Sequence, residues 1–328
     1  MSYQTGTATD LADLLGKLMT FAVANGWTQD ELDLVNGNIA FHRNSIYISG
    51  RWFVATPLQL SLHQALAFDG ISTEPGDHTD DSGNGYNTNS SHSNGNLDNE
   101  RCVYNIGDGS FTYFFFESDY YLHVVVEIST DVFRHMHFGS INKEGDWTGG
   151  EYCCGQMQIV AGPISTDNTA LFDGLFADTG ATDIRRASTI HMEGLPGQDG
   201  SGKWGQISGN HSTTPPTDSA GNPKASCQGG FRGGPIARNF GWIPSSASTG
   251  MVTMVQIGLW YVDTGSNLVY LLGYMPDVRF FNIRNFAPKQ EITISADTWV
   301  LFPTSKRTQA VEANSTYYSG VAYKKVTT

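Results

Sequence analysis

Three consecutive apolar segments between residues 111 and 139 place the strongest constraint on what this chain can fold into. They read FTYFFFES, YYLHVVVEIS and VFRHMHFG, and they are rich in the aromatic and β-branched residues that favour strands. Turn residues separate them at Ser118-Asp119 and at Thr130-Asp131. Short apolar runs bounded by turns predict an antiparallel meander, so we expect this part of the chain to form a β-sheet.

The same kind of pattern recurs on both sides of the meander. Residues 38–60 form short alternating runs, and four strand-like segments follow residue 250: MVTMVQIGLWYVD, LVYLLGYMPDVRFFNI, EITISADTWVLFPTSK and GVAYKKVTT. The 37 glycines and the 12% of aromatic residues suit strands joined by many turns. The predicted fold class is therefore mainly β, with antiparallel β-sandwich or meander sheets and long Gly/Ser/Asn-rich loops.

One amphipathic helix is predicted near the N-terminus. Its apolar positions follow the helical period and are Leu11, Leu14, Leu15, Leu18, Phe21 and Ala22. Thr9 or Asp10 can cap the start, and Gly26 suits the left-handed residue that follows a helix. A second and weaker capping pattern, TQDEL, begins at Thr28.

Composition divides the chain into four regions. These are a leader and helix (1–30), a β-rich region with a polar loop at 72–100 (31–165), a loop-rich segment (166–250), and C-terminal strands that share one sheet system with the second region (251–328). Residues 194–242 contain few apolar side chains, and ordering them costs on the order of 50–100 kcal/mol of backbone entropy. Either this stretch is mobile, or surfaces outside it, from the same chain or from neighbouring chains, order it.

Charge and leader composition exclude several classes of protein. The formal charge is −13 and no basic patch is present, so we expect no nucleic-acid partner. The N-terminus lacks a signal-peptide pattern, and no apolar run reaches the roughly 18 residues that span a bilayer, so no membrane span is expected. Four cysteines follow no disulfide or zinc spacing, and we expect them to be reduced: Cys102, Cys153, Cys154 and Cys227.

Three histidines are the weak candidates for a metal site. His135 and His137 lie two apart on a predicted strand, about 6–7 Å from each other on one face, and His123 lies on the preceding strand. His123 can pair with His137 only across an odd loop such as 129–131, whereas a two-residue turn at 130–131 places them on opposite faces. The favoured interpretation is packing and hydrogen bonding, so no metal and no other cofactor is expected.

No catalytic motif stands out. Glu127 with Asp131, or Asp173 with Asp178, could pair as an acid and a base, but nothing in the sequence positions either pair around a pocket. The nucleophile elbow G-x-S-x-G, the Walker loop and H-E-x-x-H are all absent. We therefore do not expect an enzyme.

Three blocks of the sequence resemble tail and baseplate structural proteins of tailed bacteriophages. GTATDLADLLGKLMTFAVANGWT at residues 6–28 is similar to their Gly-Thr-Ala leader, short helix and Gly-Trp-Thr turn. RHMHFGSINKEGDWTGGEYCCG at 134–155 resembles their R-H-x-x-F-G hairpin, and His135, unlike His137, falls on that pattern. YMPDVRFFNIRNFAPKQEITISADTWVLFPTSKR followed by SGVAYKKV resembles their closing strands, which end on G-(I/V)-A-Y-(R/K)-K. The blocks cover about half of the chain, in the expected order.

This resemblance implies a virion component without catalytic residues. The chain would be made in the host bacterial cytoplasm, reside in the phage tail or baseplate, and assemble with copies of itself and with other tail proteins. Aromatic residues and Arg anchor protein interfaces, so the candidate assembly contacts are Trp27, Trp204, Phe231, Arg232, Phe240 and Trp242.

The alternative functions are a receptor-binding module and a polysaccharide-degrading tail enzyme. A receptor-binding module would hold host surface glycans on its Trp/Tyr/Asn-rich loops. A polysaccharide-degrading tail enzyme would show the repeated coils of a parallel β-helix, and no repeat of fixed period is visible.

Overall fold

The computed structural model describes residues 2–53, 59–65, 102–107, 109–155, 188–193, 195, 204–208, 226–229, 252–263, 268–303 and 319–325. Within these ranges the elements, in chain order, are β1 (Ser2–Ala8), α1 (Leu11–Ala24), β2 (Thr28–Asp33), β3 (Asn38–Arg43), β4 (Ile46–Phe53), β5 (Gln59–Ala65), β6 (Cys102–Asn105), β7 (Phe111–Ser118), β8 (Tyr121–Ser129), β9 (Val132–Ser140), β10 (Asn142–Lys143), β11 (Thr148–Gly155), β12 (Ser188–Glu193), β13 (Trp204–Ser208), β14 (Ser226–Gly229), β15 (Val255–Asp263), β16 (Leu268–Asn282), β17 (Glu291–Ile294), β18 (Asp297–Pro303) and β19 (Ser319–Lys325).

These strands form two sheets. The large sheet has the order β1-β7-β8-β9-β11-β12-β13-β14-β15-β16-β19-β18-β17, and β10 pairs with β16 beside that path. The small sheet has the order β2-β3-β4-β5-β6. All of these pairings are antiparallel except that of β13 with β14, which is parallel. The predicted mainly β fold is confirmed.

The predicted N-terminal helix is also confirmed. Asp10 is its N-cap and accepts a hydrogen bond from the Asp13 backbone N–H at 2.8 Å. The helix ends at Ala24 with Asn25 as its C-cap, and Gly26 follows with a φ of 90°, which glycine adopts without steric cost. All six residues of the predicted apolar stripe are buried. No helix in the described part of the chain is long and apolar enough to cross a membrane.

Two local predictions near this helix were wrong or incomplete. The TQDEL pattern at Thr28 starts strand β2, not a helix, because it pairs with β3 in the small sheet. The leader before the helix is itself a strand, β1, whose residues pair antiparallel with β7 from Ser2 opposite Glu117 to Ala8 opposite Phe111.

The central strands of the large sheet are buried on both faces. On β7, Phe115 packs toward the helix and the small sheet, whereas Phe114 and Phe116 pack toward the C-terminal strands. Continuous apolar runs such as FTYFFFES are typical of strands covered on both faces. The described structure therefore has three layers, with β7, β8, β9 and β11 in the middle one.

Aromatic contacts join these layers. On the first face, Phe21 of α1 lies 5.4 Å from Phe115 between ring centroids. On the second face, the large sheet folds back on itself, so that Tyr323 of β19 stacks on Phe116 of β7 at 4.9 Å. Phe302 of β18 meets Phe114 at the same distance. The second face thus holds the two halves of one sheet together, and the three candidate histidines lie within it.

Candidate functional site

A β-bulge decides where the candidate histidines point. The turn between β8 and β9 has two residues, because Ser129 pairs with Val132. That register would place His123 and His137 on opposite faces, but the pairing shifts between Ser129 and Glu127, and Glu127 pairs with Phe133. The extra residue, Ile128, shifts the pairing by one residue, so the strands beyond it have the register that an odd loop would give. His123 therefore lies directly opposite His137.

The histidines and one tyrosine form a continuous chain of polar contacts. His123 Nδ1 lies 3.3 Å from His137 Nδ1, and His137 Nε2 lies 3.2 Å from the Tyr323 hydroxyl. The same hydroxyl lies 2.6 Å from His135 Nδ1. The chain ends on two carbonyls, since His123 Nε2 lies 3.2 Å from Pro276 O and His135 Nε2 lies 2.9 Å from Pro303 O. We call these four side chains the His-Tyr chain.

Its two ends fix the imidazole tautomers. A carbonyl oxygen only accepts hydrogen bonds, so Nε2 of His123 and Nε2 of His135 must each carry a hydrogen. In the neutral rings Nδ1 is then an acceptor. The Tyr323 hydroxyl donates to His135, and His137 is the donor available to His123 within the chain.

Burial keeps these imidazoles neutral. Each of the three histidines is 0% exposed. Desolvation lowers the pKa of His123 to about 3 and that of His135 to about 4, and it holds the pKa of His137 well below its ordinary value. Burial also raises the pKa of the Tyr323 hydroxyl well above 10. A neutral, hydrogen-bonded cluster is what an apolar interior tolerates.

The three histidines come together on one face, and their ring nitrogens contact one another, Tyr323 and two backbone carbonyls. His135 Nε2 and His123 Nε2 are directed at carbonyl oxygens, His135 Nδ1 and His137 Nε2 both contact the Tyr323 hydroxyl, and the Nδ1 atoms of His123 and His137 face each other. Across the described ranges, no group of three or more His, Cys, Asp or Glu side chains is placed to hold a metal ion. In this arrangement the three imidazoles pack in the core and form hydrogen bonds.

Sequence reasoning missed Tyr323, which is 188 residues from His135. No local pattern links the two, because β19 reaches the histidines only after the large sheet has folded back. The one available signal is that Tyr323 belongs to the GVAYKK segment and His135 to the RHMHFG segment, which are both resemblance motifs.

A second polar cluster, buried at Glu151 and His191 and exposed at Ser45, links the two sheets. The imidazole of His191 on β12 contacts Glu151 on β11 through Nδ1 at 2.8 Å, and Ser45, in the β3–β4 turn, donates to the same carboxylate at 2.9 Å. Burial alone would raise the pKa of Glu151, but the hydrogen bonds from His191 and Ser45 lower it. The carboxylate is therefore charged at neutral pH and ties the small sheet to β11.

The carboxylate pair considered from sequence has a structural role. Glu127 accepts a hydrogen bond from the backbone N–H of Asp131 at 3.1 Å and pairs with Lys289 at 3.0 Å. Asp131 itself has a φ of 58° in the hairpin turn. The Glu127 carboxylate thus stabilises the β8–β9 turn through the Asp131 backbone and Lys289. The alternative pair, Asp173 and Asp178, lies outside the described residues.

The candidate assembly residues fall into two groups. Trp27 is only 3% exposed and packs edge-on against Phe41 at 5.4 Å, so its indole belongs to the core of this chain and not to a free surface. The backbone of Trp204 lies in β13, where it pairs with His191. The other four lie outside the described residues: Phe231, Arg232, Phe240 and Trp242.

The adjacent cysteines lie on opposite sides of β11, as their position in a strand predicts. Both Cys153 and Cys154 are buried and are not joined in a disulfide, and they belong to the cores on the first and second faces respectively. The side chains of Cys102 and Cys227 are not among those described.

Comparison with known proteins adds no assignment. No protein-family model matches the chain, and no curated protein matches it significantly.

Proposed function

We propose that this chain is a structural component of a tailed-phage virion, built into the tail or baseplate, and that it acts by assembly with copies of itself and other tail proteins. The proposal starts from the three blocks that resemble such proteins. The proposal does not invoke catalysis. It assigns the residues that these blocks share with such proteins to the stability of the fold.

The observation that carries the proposal is the contact between two of these blocks. His135 of the RHMHFG segment and Tyr323 of the GVAYKK segment are hydrogen-bonded at 2.6 Å, and both side chains are fully buried. Residues that related proteins share because they act in catalysis or ligand binding line an accessible cleft. Residues buried between two halves of a sheet serve the architecture instead, which suits a building block.

A glycine of the same block supports this interpretation. Gly139 of RHMHFG has a φ of 155°, and a Cβ at this position would lie 2.3 Å from the backbone oxygen of Tyr120. Only glycine fits such a close approach of two strands. The residue is thus required by the backbone path of the hairpin.

An open sheet edge offers a means of assembly. Within the described strands β17 ends the large sheet and pairs on one side only, with β18. Most of its residues are exposed, and Ile294 is 37% exposed. Unpaired backbone groups at such an edge can pair with a strand of another chain. Together with the aromatic residues proposed at 204–242, this edge is where we place subunit contacts.

Mass spectrometry of purified virions tests the proposal. We expect peptides of this chain to copurify with the particles through a density gradient, at a constant ratio to a known tail protein, while an abundant host protein is depleted. Six or twelve copies per particle would indicate a baseplate ring, whereas hundreds would indicate a tube, sheath or capsid role. Peptides that are abundant in the infected lysate but lost from purified particles would refute a virion role.

A further inference from the structure

The large sheet has a second open edge, at β1. Among the described strands β1 comes first in the sheet order and pairs only with β7, in one unbroken register from Ser2 to Ala8. Its sequence, SYQTGTA, contains no charged residue and no proline. Natural edge strands are usually kept from pairing with other chains by charges, proline, bulges or short length. The sequence and register of β1 include none of these protections.

The backbone groups of the odd-numbered residues of β1 point away from β7. Strands β7 and β8 are joined by a two-residue turn, and the residues that flank such a turn, Ser118 and Tyr121, exchange backbone hydrogen bonds. Because backbone groups alternate along a strand, the even-numbered residues of β7 face β8 and its odd-numbered residues face β1. These odd-numbered residues pair with the even-numbered residues of β1. The N–H and C=O groups of Tyr3, Thr5 and Thr7 therefore lie on the open side.

Two side-chain hydrogen bonds agree with this assignment. The Thr5 hydroxyl donates to the Tyr113 carbonyl at 2.8 Å, which places that carbonyl on the β1 side of β7. From the helix, the Lys17 ammonium donates to the Thr7 carbonyl at 2.8 Å, which places this second carbonyl outside the ladder between the two strands. Thr5 and Thr7 are exposed and Tyr3 is partly exposed. An incoming strand can thus reach these backbone groups.

We propose that β1 joins two copies of this chain, through an antiparallel pairing in which Thr5 lies opposite Thr5 of the second copy. In this register Tyr3 of each copy lies opposite Thr7 of the other, so every outward group of β1 meets a complementary one. The three residue pairs supply about six hydrogen bonds. The Thr7 carbonyl can keep its bond to Lys17, because a carbonyl oxygen has two lone pairs. This inference rests on the proposed function, since it names one contact of the assembly.

The side chains of β1 suit pairing with a copy of itself. A Thr–Thr pair across two antiparallel strands is favourable. Gln4 lies opposite Gly6 of the second copy, so a long side chain faces a residue that has none. The other open edge, β17, has four residues and begins with Glu291. Pairing of β17 with its own copy would supply fewer hydrogen bonds and would add a carboxylate from each copy.

Electrostatics favour an uncharged edge as the contact between copies. The chain carries a formal charge of −13, so most approaches of two copies bring acidic surfaces together. Two cations contact β1, and each is paired with a carboxylate. Lys17 pairs with Asp13, and Lys325, which lies 4.8 Å from the centre of the Tyr3 ring, pairs with Glu291 at 2.8 Å. The edge is therefore locally close to neutral, and a second copy can approach it without strong repulsion.

Thr5→Pro tests the contact, because residue 5 directs its N–H away from β7. Proline at this position removes an outward donor and leaves the hydrogen bonds between β1 and β7 in place. It also removes the hydroxyl that donates to Tyr113, so Thr5→Val, which loses the hydroxyl but keeps the N–H, is the matched control.

Gel filtration with light scattering, over a series of protein concentrations, measures the dimer. We expect the wild type and Thr5→Val to dimerise, and Thr5→Pro to have a dissociation constant about 30-fold higher, as expected for two lost hydrogen bonds. A monomeric wild type would overturn the pairing, and so would equal dissociation constants for the two variants. Neither result decides the virion role, which fails only if the chain is lost from purified particles.

Disulfide cross-linking keeps the pairing testable if Thr5→Pro does not fold. In the proposed register two Thr5→Cys residues lie opposite each other, with Cα atoms about 5.5 Å apart, which is within the range of a disulfide. Two Gln4→Cys residues are diagonal neighbours, about 7–8 Å apart, and should not join. Under mild oxidation we expect covalent dimers from Thr5→Cys, and not from Gln4→Cys or the wild type. Equal yields from the two cysteine variants, or no dimer from Thr5→Cys, would refute this register.

Discussion

Tyr323→Phe tests whether the packing between the two halves of the large sheet depends on the Tyr323 hydroxyl as well as on the aromatic rings. The phenylalanine keeps the 4.9 Å stack on Phe116 and removes only Oη. His135 Nδ1, in a fully buried ring, loses its 2.6 Å donor. Leaving a buried acceptor without that hydrogen bond costs about 1–3 kcal/mol, so we expect the unfolding free energy to fall by about 2 kcal/mol.

The same substitution at a second buried tyrosine is the matched control. The Tyr152 hydroxyl is buried and has no hydrogen-bond partner among the described residues. Tyr152→Phe removes a polar atom that gains nothing from the fold, so this variant should be as stable as the wild type or more stable. Of two substitutions with identical chemistry in one core, only Tyr323→Phe should therefore lower the stability.

Guanidinium unfolding at pH 7.5, followed by tryptophan fluorescence, measures both variants. The expected result is a lower midpoint for Tyr323→Phe and an unchanged or higher midpoint for Tyr152→Phe, with equal slopes. If Tyr152→Phe lost more stability than Tyr323→Phe, the assignment of Tyr323 as the essential donor would be refuted.

Three further substitutions, two of them with a control variant, test the helix cap, the close strand approach at Gly139 and the ion pair of Glu127. Asp10→Ala removes the helix cap and should cost about 1 kcal/mol in chemical unfolding, whereas Asp10→Asn should retain most of it. Gly139→Ala should prevent accumulation of soluble folded protein, while Gly107→Ala, with a positive φ but no atom of the described residues within 4 Å of the added Cβ, should cost only about 1–2 kcal/mol. Lys289→Ala removes the exposed partner of Glu127 and should cost less than about 1 kcal/mol, a difference that 1 M NaCl should abolish.

The elements that sequence predicts well are those governed by neighbours along the chain. The helix at residues 11–24 follows from its apolar period and from the cap at Asp10. The strands of the meander follow from runs of aromatic and β-branched residues bounded by turns. Both signals arise within a few residues, so tertiary contacts were not needed to find them.

Failures occurred where distant parts of the chain decide the outcome. The capping pattern at Thr28 is overridden because β3 offers it a pairing partner. The leader SYQTGTA has little strand character, yet β7 recruits it as an edge strand. Local propensity is a weak prior against such pairings.

The predicted register of the histidine hairpin was incomplete for a different reason. The sequence offered only two alternatives, an odd loop and a two-residue turn. Odd and even loops were considered between β8 and β9, but a bulge at Ile128 combines an even turn with the odd register. Periodicity cannot reveal a bulge, which depends on how two strands twist together. The partner that completes the site, Tyr323, comes from a strand that the sequence places 186 residues beyond His137.

The position of β19 has a consequence for the order of folding. This strand lies between β16 and β18, so those two strands are hydrogen-bonded to it and not to each other. During synthesis, β16, β17 and β18 leave the ribosome before β19 does. The position between β16 and β18, which β19 will occupy, is then still empty. Two edges that will later be internal stay exposed until residues 319–325 arrive, and exposed edges recruit strands of other chains. Correctly folded monomers should therefore form only after translation has passed residue 325, and ribosome-bound chains shorter than this should be the ones that need a chaperone.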